Sequence, residues 1–190
     1  INDIPDMMKN AVIAVEDVRF NEHNGIDVKR IVGSFMRNMT SNSVEGGSTI
    51  TQQLIKNNIL SPERSYRRKI QEAYLAMELD SSFGKDNILE TYINEVDYGE
   101  GNYGVARAAK DYFDKELDEL TIRECALLAG VINNATYYNP RKNYYDTDRL
   151  SKDSKKRTDE RTNLVLRRMF EANFIPAEEY TRYYSHLNYE

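Results

Sequence analysis

The sequence predicts a mainly α domain, and three observations carry that expectation. Apolar residues recur at helical spacing in most segments, helix-start residues stand where those stripes begin, and no segment alternates convincingly with period 2. Only nine Gly and four Pro punctuate the 190 residues, too few for a many-turned β-sandwich. A chain of this length buries one core, so a single domain over residues 1–190 is expected.

The elements follow in order. Met7 to Phe20 places Ala11, Val15 and Val18 on one stripe, with Pro5 suited to the helix start and Glu16 and Asp17 beside the stripe. Residues 21–47 are rich in Asn, Ser and Gly around a short helical piece from about Asp27 to Met39. Ile31, Val32 and Phe35 are its only core anchors, so this region is expected to be mobile. Ser48 or Thr49 can cap a helix to about Leu60, and Ser61-Pro62-Glu63 reads as the start of the next, reaching about Leu79. Ile88, Leu89, Tyr92, Ile93 and Val96 form an amphipathic helix that Gly99, Gly101 and Gly104 bring to an end. Val105 to Phe113 resumes helical spacing, and Thr121-Ile122-Arg123-Glu124 is a capping box. A long helix is expected over about Arg149 to Ala172, with Leu164, Val165 and Met169 apolar, then a short one after Pro176.

Composition excludes several classes of function. A net charge of −5 disfavours nucleic-acid binding through a globally basic surface. One cysteine, Cys125, and two histidines cannot build a conventional His/Cys zinc site, and Cys125 reads as packing. No run of about 18 apolar residues is present, so the chain is expected to behave as a soluble domain.

Four segments bear chemistry. In EDVRFNEHNGID, Glu16 neighbours Val12, Ile13 and Phe20 at helical spacing, and a carboxylate among apolar groups holds a proton more readily than one in water. That suits a general base, although from this segment alone a surface helix with ordinary acids is the favoured reading. GGSTITQQLIKN joins a double glycine to hydroxyl, amide and ammonium groups, with Gln52, Gln53, Lys56 and Asn57 spaced to grip a sugar or phosphate. Arg64, Arg67, Arg68 and Lys69 precede Glu72, which reads as ion pairing on a solvated face or as a cradle for a leaving diphosphate. The fourth segment, Lys85 to Phe113 with the following ECALLAG helix and Tyr137-Tyr138-Asn139-Pro140, is mostly core stripe and glycine turn.

Taken in order, EDVRFNEHNGID, GGSTITQQLIKN, RKIQEAYLAMELD, KDNILETYINEVDYGEGNYGVARAAKDYF and LTIRECALLAG resemble the five motifs of the family-51 peptidoglycan glycosyltransferases, and RTNLVLRRM resembles the closing helical segment. The resemblance implies a mainly α, lysozyme-like fold with a larger head lobe and a smaller, membrane-bordering jaw lobe. It implies polymerisation of lipid II into β-1,4-linked glycan strands, by inverting transfer that releases undecaprenyl pyrophosphate. Glu16 would be the base and Glu72 a second catalytic carboxylate. Ser48, Thr49, Gln53, Lys56, Asn57, Arg64, Arg68 and Lys69 would contact donor phosphate or sugar, and Phe20, His23 and Tyr92 would line the cleft. No cofactor is required on this resemblance, and help from Mg²⁺ or Mn²⁺ at the diphosphate stays open. The implied partners are lipid II, the growing lipid-linked glycan, the membrane surface and other cell-wall synthesis proteins, at the extracytoplasmic face of a bacterial cytoplasmic membrane. The family's membrane helix and its transpeptidase domain have no counterpart in these residues, and inhibition by moenomycin is implied. In this sequence Asp114 replaces the Gly usual after Tyr-Phe, and Val18, Asn21, Asp97, Ile132 and Ala135 also depart from the pattern. The rival readings are a lysozyme-like hydrolase or lytic transglycosylase, which would cut glycan, and a non-catalytic lipid-II-binding module.

Overall fold

A computed structural model describes residues 4–40, 46–60, 65–144 and 152–184. Among these residues there are ten α-helices and no strand; Asp97 and Tyr103 form an isolated bridge. The chain divides into a larger unit, Ile1–Val18 with Ile93–Glu190, and a smaller one, Arg19–Tyr92.

The larger unit is built on α1 (Asp6–Glu16), α7 (Ile122–Val131) and α9 (Lys152–Glu171), each packed on the other two. Pro5 stands at the N-cap of α1 and Asp6 in its first turn, where an acid complements the helix dipole. Met8, Ala11, Val12, Ile13 and Ala14 are buried. The helix ends earlier than its stripe suggests: Asp17 swings to φ −161°, so Val18 leaves the apolar face and is 55% exposed. Thr121 and Glu124 form the expected capping box on α7, and Lys115 holds Glu124 at 2.8 Å. Buried Ala126, Leu128 and Ala129 of α7 meet Val165, Leu166 and Met169 of α9 in the core, while Leu164, expected on that face, is only half-buried. Cys125 is fully buried, and burial, with Glu124 adding to it, pushes its thiol up to about 12, in keeping with packing and not chemistry. Around this frame stand α6 (Val105–Phe113), a 3₁₀ turn (Leu117–Glu119), α8 (Pro140–Tyr144) and α10 (Ala177–Tyr183). Asp114 ends α6 at φ 54°, the left-handed conformation that a Gly would adopt there without a steric penalty.

The smaller unit holds α2 (Val28–Thr40), α3 (Ile50–Asn58), α4 (Tyr66–Phe83) and the first turns of α5 (Lys85–Glu95). Asp27 accepts from Arg30 N–H at the start of α2 and from the Arg19 guanidinium at 2.7–2.9 Å. Burial favours the neutral acid, but these bonds outweigh it and hold the Asp27 carboxyl below its ordinary value. The expected anchoring of α2 is overturned: Ile31, Val32 and Phe35 are all exposed, with Val28, Met36 and Met39, and among the described residues of the helix only Ser34 is buried. The apolar side of this helix faces outward. Thr49 caps α3 in a full capping box with Gln52, and α3 packs on α4. Ser65 caps α4 by accepting from Arg68 N–H at 3.1 Å, and the helix runs on to Phe83, four residues past the expected end. The expected cap at Ser61-Pro62-Glu63 lies outside the described residues, as do residues 41–45 of the segment expected to be mobile.

Gly25 fastens the loop before α2 to α4. It sits at φ +85°, and a Cβ there would stand 2.3 Å from the Ala76 carbonyl oxygen. Gly25→Ala is expected to cost about 2–3 kcal/mol, from overpacking and the left-handed backbone together. Thermal and urea melts followed by circular dichroism check this, and an unchanged midpoint contradicts it.

Candidate active site

In the smaller unit, the two polar segments singled out in the sequence meet at Glu72. Its residue is 1% exposed, so it is not one end of an ion pair on a solvated face. Glu72 Oε1 accepts from Lys69 Nζ one turn earlier on α4 and from Gln52 Nε2 of α3 at 3.2 Å; Oε2 has no hydrogen-bond partner among the described residues. Lys69 is half-exposed and also donates to Ser48 Oγ at 2.9 Å. One ammonium thus joins the Gly-Gly-Ser turn to the buried acid and keeps part of its surface toward solvent. Gln52 is held at its other end, because Oε1 accepts from Thr49 N–H at 3.1 Å, while Thr49 Oγ1 donates to the Gly25 carbonyl at 2.6 Å.

The remaining residues implied in binding are placed around this network. Gln53 Oε1 accepts from the Tyr92 hydroxyl at 2.9 Å, and the Tyr92 ring is buried, so it supports α3 from beneath. Phe20 is also buried, edge-on to His23 and capped by Lys85 Nζ 4.5 Å above its ring. Lys85 donates to the His23 carbonyl and to Asp80, both at 2.6 Å, which locks this loop to α4. Lys56 and Asn57 are exposed near the C-terminal end of α3. Arg68 is half-buried, and its Nε has no hydrogen-bond partner among the described residues. Arg64 lies outside the described residues, and with it the expected convergence of Lys56 and Arg64.

In the larger unit, Glu16 is the last residue of α1 and is 8% exposed. Its Oε1 lies 3.9 Å from Arg161 Nη2 of α9, a residue the sequence reading did not single out. Arg161 is itself fixed: Nε donates to the Gly130 carbonyl of α7 at 3.2 Å, and its guanidinium lies 5.6 Å from the Tyr138 ring centre. Burial lowers the pKa of Arg161, and the Glu16 carboxylate opposes that shift. Only the meeting of three helices brings Arg161 to Glu16, and no local spacing announces it. The lone usable signal was that RTNLVLRRM carries a cation beside apolar residues that must be buried. Among the described residues no group of three or more His, Cys, Asp or Glu is placed to hold a metal ion.

A Cβ at Gly130 would stand 3.1 Å from Arg161 Cγ and 3.6 Å from Val165. Gly130→Ala is expected to push Arg161 off Glu16 and to cost about 1–3 kcal/mol by overpacking. A urea melt reads the stability, and a crystal structure of the variant reads the Arg161–Glu16 separation; a melt and a separation both unchanged contradict the expectation.

Comparison with known proteins shows the family of the chain. The transglycosylase family model matches residues 1–170. Penicillin-binding protein 1A of Clostridium perfringens is 44% identical over 94% of this chain and 26% of its own length. Penicillin-binding protein 1A/1B of Bacillus subtilis is 41% identical over 96% of this chain and 19% of its own. The chain therefore spans about a quarter or less of these relatives. The crystal structure of penicillin-binding protein 1A from Haemophilus influenzae shares the fold, with a TM-score of 0.51 at 24% identity, over 97% of this chain and 16% of that one. With a helical, lysozyme-like architecture and these relatives, the chain belongs to the transglycosylase family, as a peptidoglycan glycosyltransferase domain of the class A penicillin-binding protein type.

Proposed function

We infer that the chain polymerises lipid II by inverting glycosyl transfer, with Glu16 as general base. The observation that carries this reading is Glu16 itself, a carboxylate buried at the end of a core helix and set 3.9 Å from a guanidinium that is fixed by the backbone of another helix. A base so held does not need to be reorganised in the transition state. The acceptor hydroxyl oxygen attacks the anomeric carbon of the growing strand, its proton passes to Glu16, and the bond to the diphosphate breaks with its electron pair leaving on the diphosphate.

The leaving group needs positive charge and no proton donor. Lys69, Arg68 and Lys56 of the smaller unit supply cations, and Ser48 and Asn57 supply hydrogen bonds. Glu72 is enclosed and already engaged by Lys69 and Gln52, so its role is to aim Lys69 and not to exchange protons. A hydrolase releasing a neutral sugar alcohol has no use for such a cluster. The transfer needs no cofactor, and a divalent cation, where one takes part, would ride on the diphosphate oxygens.

The outward apolar face of α2 supports the placement of this unit at a membrane. Val28, Ile31, Val32, Phe35, Met36 and Met39 are exposed on a helix that also carries Lys29, Arg30 and Arg37 and no acid, the composition of a helix lying in a lipid interface. A lipid-linked substrate is met at that surface, on the extracytoplasmic side where cell wall is assembled. Among the described residues no helix is long and apolar enough to cross a membrane.

Glu16→Gln is expected to lower the rate of lipid II polymerisation by about 10²–10⁴ while the thermal midpoint stays close to wild type. Polymer formed by the folded variant at the wild-type rate would remove Glu16 from the mechanism. Lys56→Ala is expected to depress kcat more than it raises KM, because charge on the diphosphate grows as the bond breaks. Steady-state kinetics with fluorescent lipid II check the split, and a change confined to KM assigns Lys56 to ground-state binding alone.

A further inference from the structure

A cavity of about 520 Å³ in the larger unit is lined by Asn134, Thr136, Tyr137, Lys142, Asn143 and Arg157, with Ser154 at its edge. Two cations, two amides and hydroxyl groups line it, and no carboxylate among the described residues does. Lys142 is paired with Glu100 at 2.9 Å. Arg157 has no ion pair among the described residues: its guanidinium carbon lies over the Tyr137 ring, 4.3 Å from the ring centre, Nη2 donates to Ser154 Oγ at 3.0 Å, and buried Nε has no hydrogen-bond partner among those residues. A guanidinium held over a ring, with Nη2 on a hydroxyl and Nε unbonded, retains N–H donors that can meet an oxyanion.

The cavity is tied to the proposed base by repetition along α9. Arg157 stacks on Tyr137, and one turn later Arg161 stacks on Tyr138 and faces Glu16. Four helical residues rise about 6 Å, so the cation of the cavity stands one turn from the guanidinium beside Glu16. Tyr137 is clamped from both sides: its N–H donates to Asn134 Oδ1 at 3.0 Å and its carbonyl accepts from Asn143 Nδ2 at 2.9 Å. The platform under Arg157 is therefore rigid before any ligand arrives.

We propose that this cavity is an acceptor subsite that holds the carboxylate-bearing peptide arm of the incoming lipid-linked disaccharide. The inference rests on the glycosyl-transfer reading and adds to it the part of the substrate that is recognised. The volume lies in the range of pockets that enclose small-molecule-sized ligands and is far more than one phosphate fills. An excess of donors around Arg157, whose charge has no ion pair among the described residues, selects an anion, and the amides and hydroxyls match the polar backbone of a short peptide. Binding the arm here would set the acceptor hydroxyl on the Glu16 side of the larger unit without using the cations of the smaller one.

The test compares wild type with Arg157→Gln on two acceptors, lipid II with its full peptide and a synthetic lipid II lacking the peptide, and adds an NMR titration with soluble muramyl pentapeptide. The ratio of kcat/KM for the peptide-bearing to the peptide-less acceptor is expected to fall on the order of tenfold in the variant, the loss of one charge-assisted contact. Muramyl pentapeptide is expected to shift resonances of Tyr137 and Asn143 in wild type and to do so only weakly in the variant. Equal losses on both acceptors would place the anion elsewhere on the substrate and overturn the subsite, and so would an unchanged ratio with no binding. Wild type that forms no polymer yet binds the muropeptide through Arg157 would sink the transfer reading and leave the subsite standing.

Discussion

The smaller unit depends on a carboxylate taken out of water. Enclosing Glu72 between α3 and α4 is tolerable only because Lys69 and Gln52 both meet Oε1, and the bonds continue from there. Gln52 closes the capping box with Thr49, Thr49 holds the Gly25 carbonyl, and Gly25 packs on the backbone of α4 at Ala76, four residues from Glu72. This is a closed circuit through three segments that lie far apart in sequence. Removal of one member leaves a buried polar group unsatisfied, at a cost of about 1–3 kcal/mol. The circuit also leaves Lys69 half-exposed, with its ammonium held between Glu72 and Ser48.

The larger unit solves the same problem with a longer contact. Glu16 ends α1, Arg161 comes from α9, and the Gly130 carbonyl that fixes Arg161 belongs to α7, so the three helices that make the core also set the acid and its counter-ion. At 3.9 Å the pair is longer than a good hydrogen bond, and the carboxylate is held in place without being consumed by its partner. Glu72 and Glu16 are both buried acids, one bonded within its own unit to Lys69 and Gln52 and the other facing a guanidinium from a different helix.

Burial is distributed unevenly. Most of the exposed large apolar side chains belong to the smaller unit, where α2 turns outward six of them and α4 leaves Tyr66, Ile70, Tyr74 and Met77 uncovered at helical spacing. In the larger unit the aliphatic residues close on one another, and Arg123 bridges Asp159, Asn163 and the Tyr183 carbonyl.

The sequence by itself determined the helical class, the order of most helices and the caps of α3 and α7, because these depend on residues within one or two turns of each other. Thr49 with Gln52 and Thr121 with Glu124 are local contacts, and they appear as expected. It also set out the chemistry-bearing segments, since their residue types and spacing are local too. Tertiary structure decided the rest. An apolar stripe does not say which way it faces, so Ile31, Val32 and Phe35 were expected inside and stand outside, and Val18 follows the turn at Asp17 into solvent. A basic run followed by an acid reads as solvated pairing until α3 covers Glu72. Arg161 became the partner of Glu16 only through the packing of α1, α7 and α9, because the two residues lie at opposite ends of the chain and a contact between them exists in the fold alone.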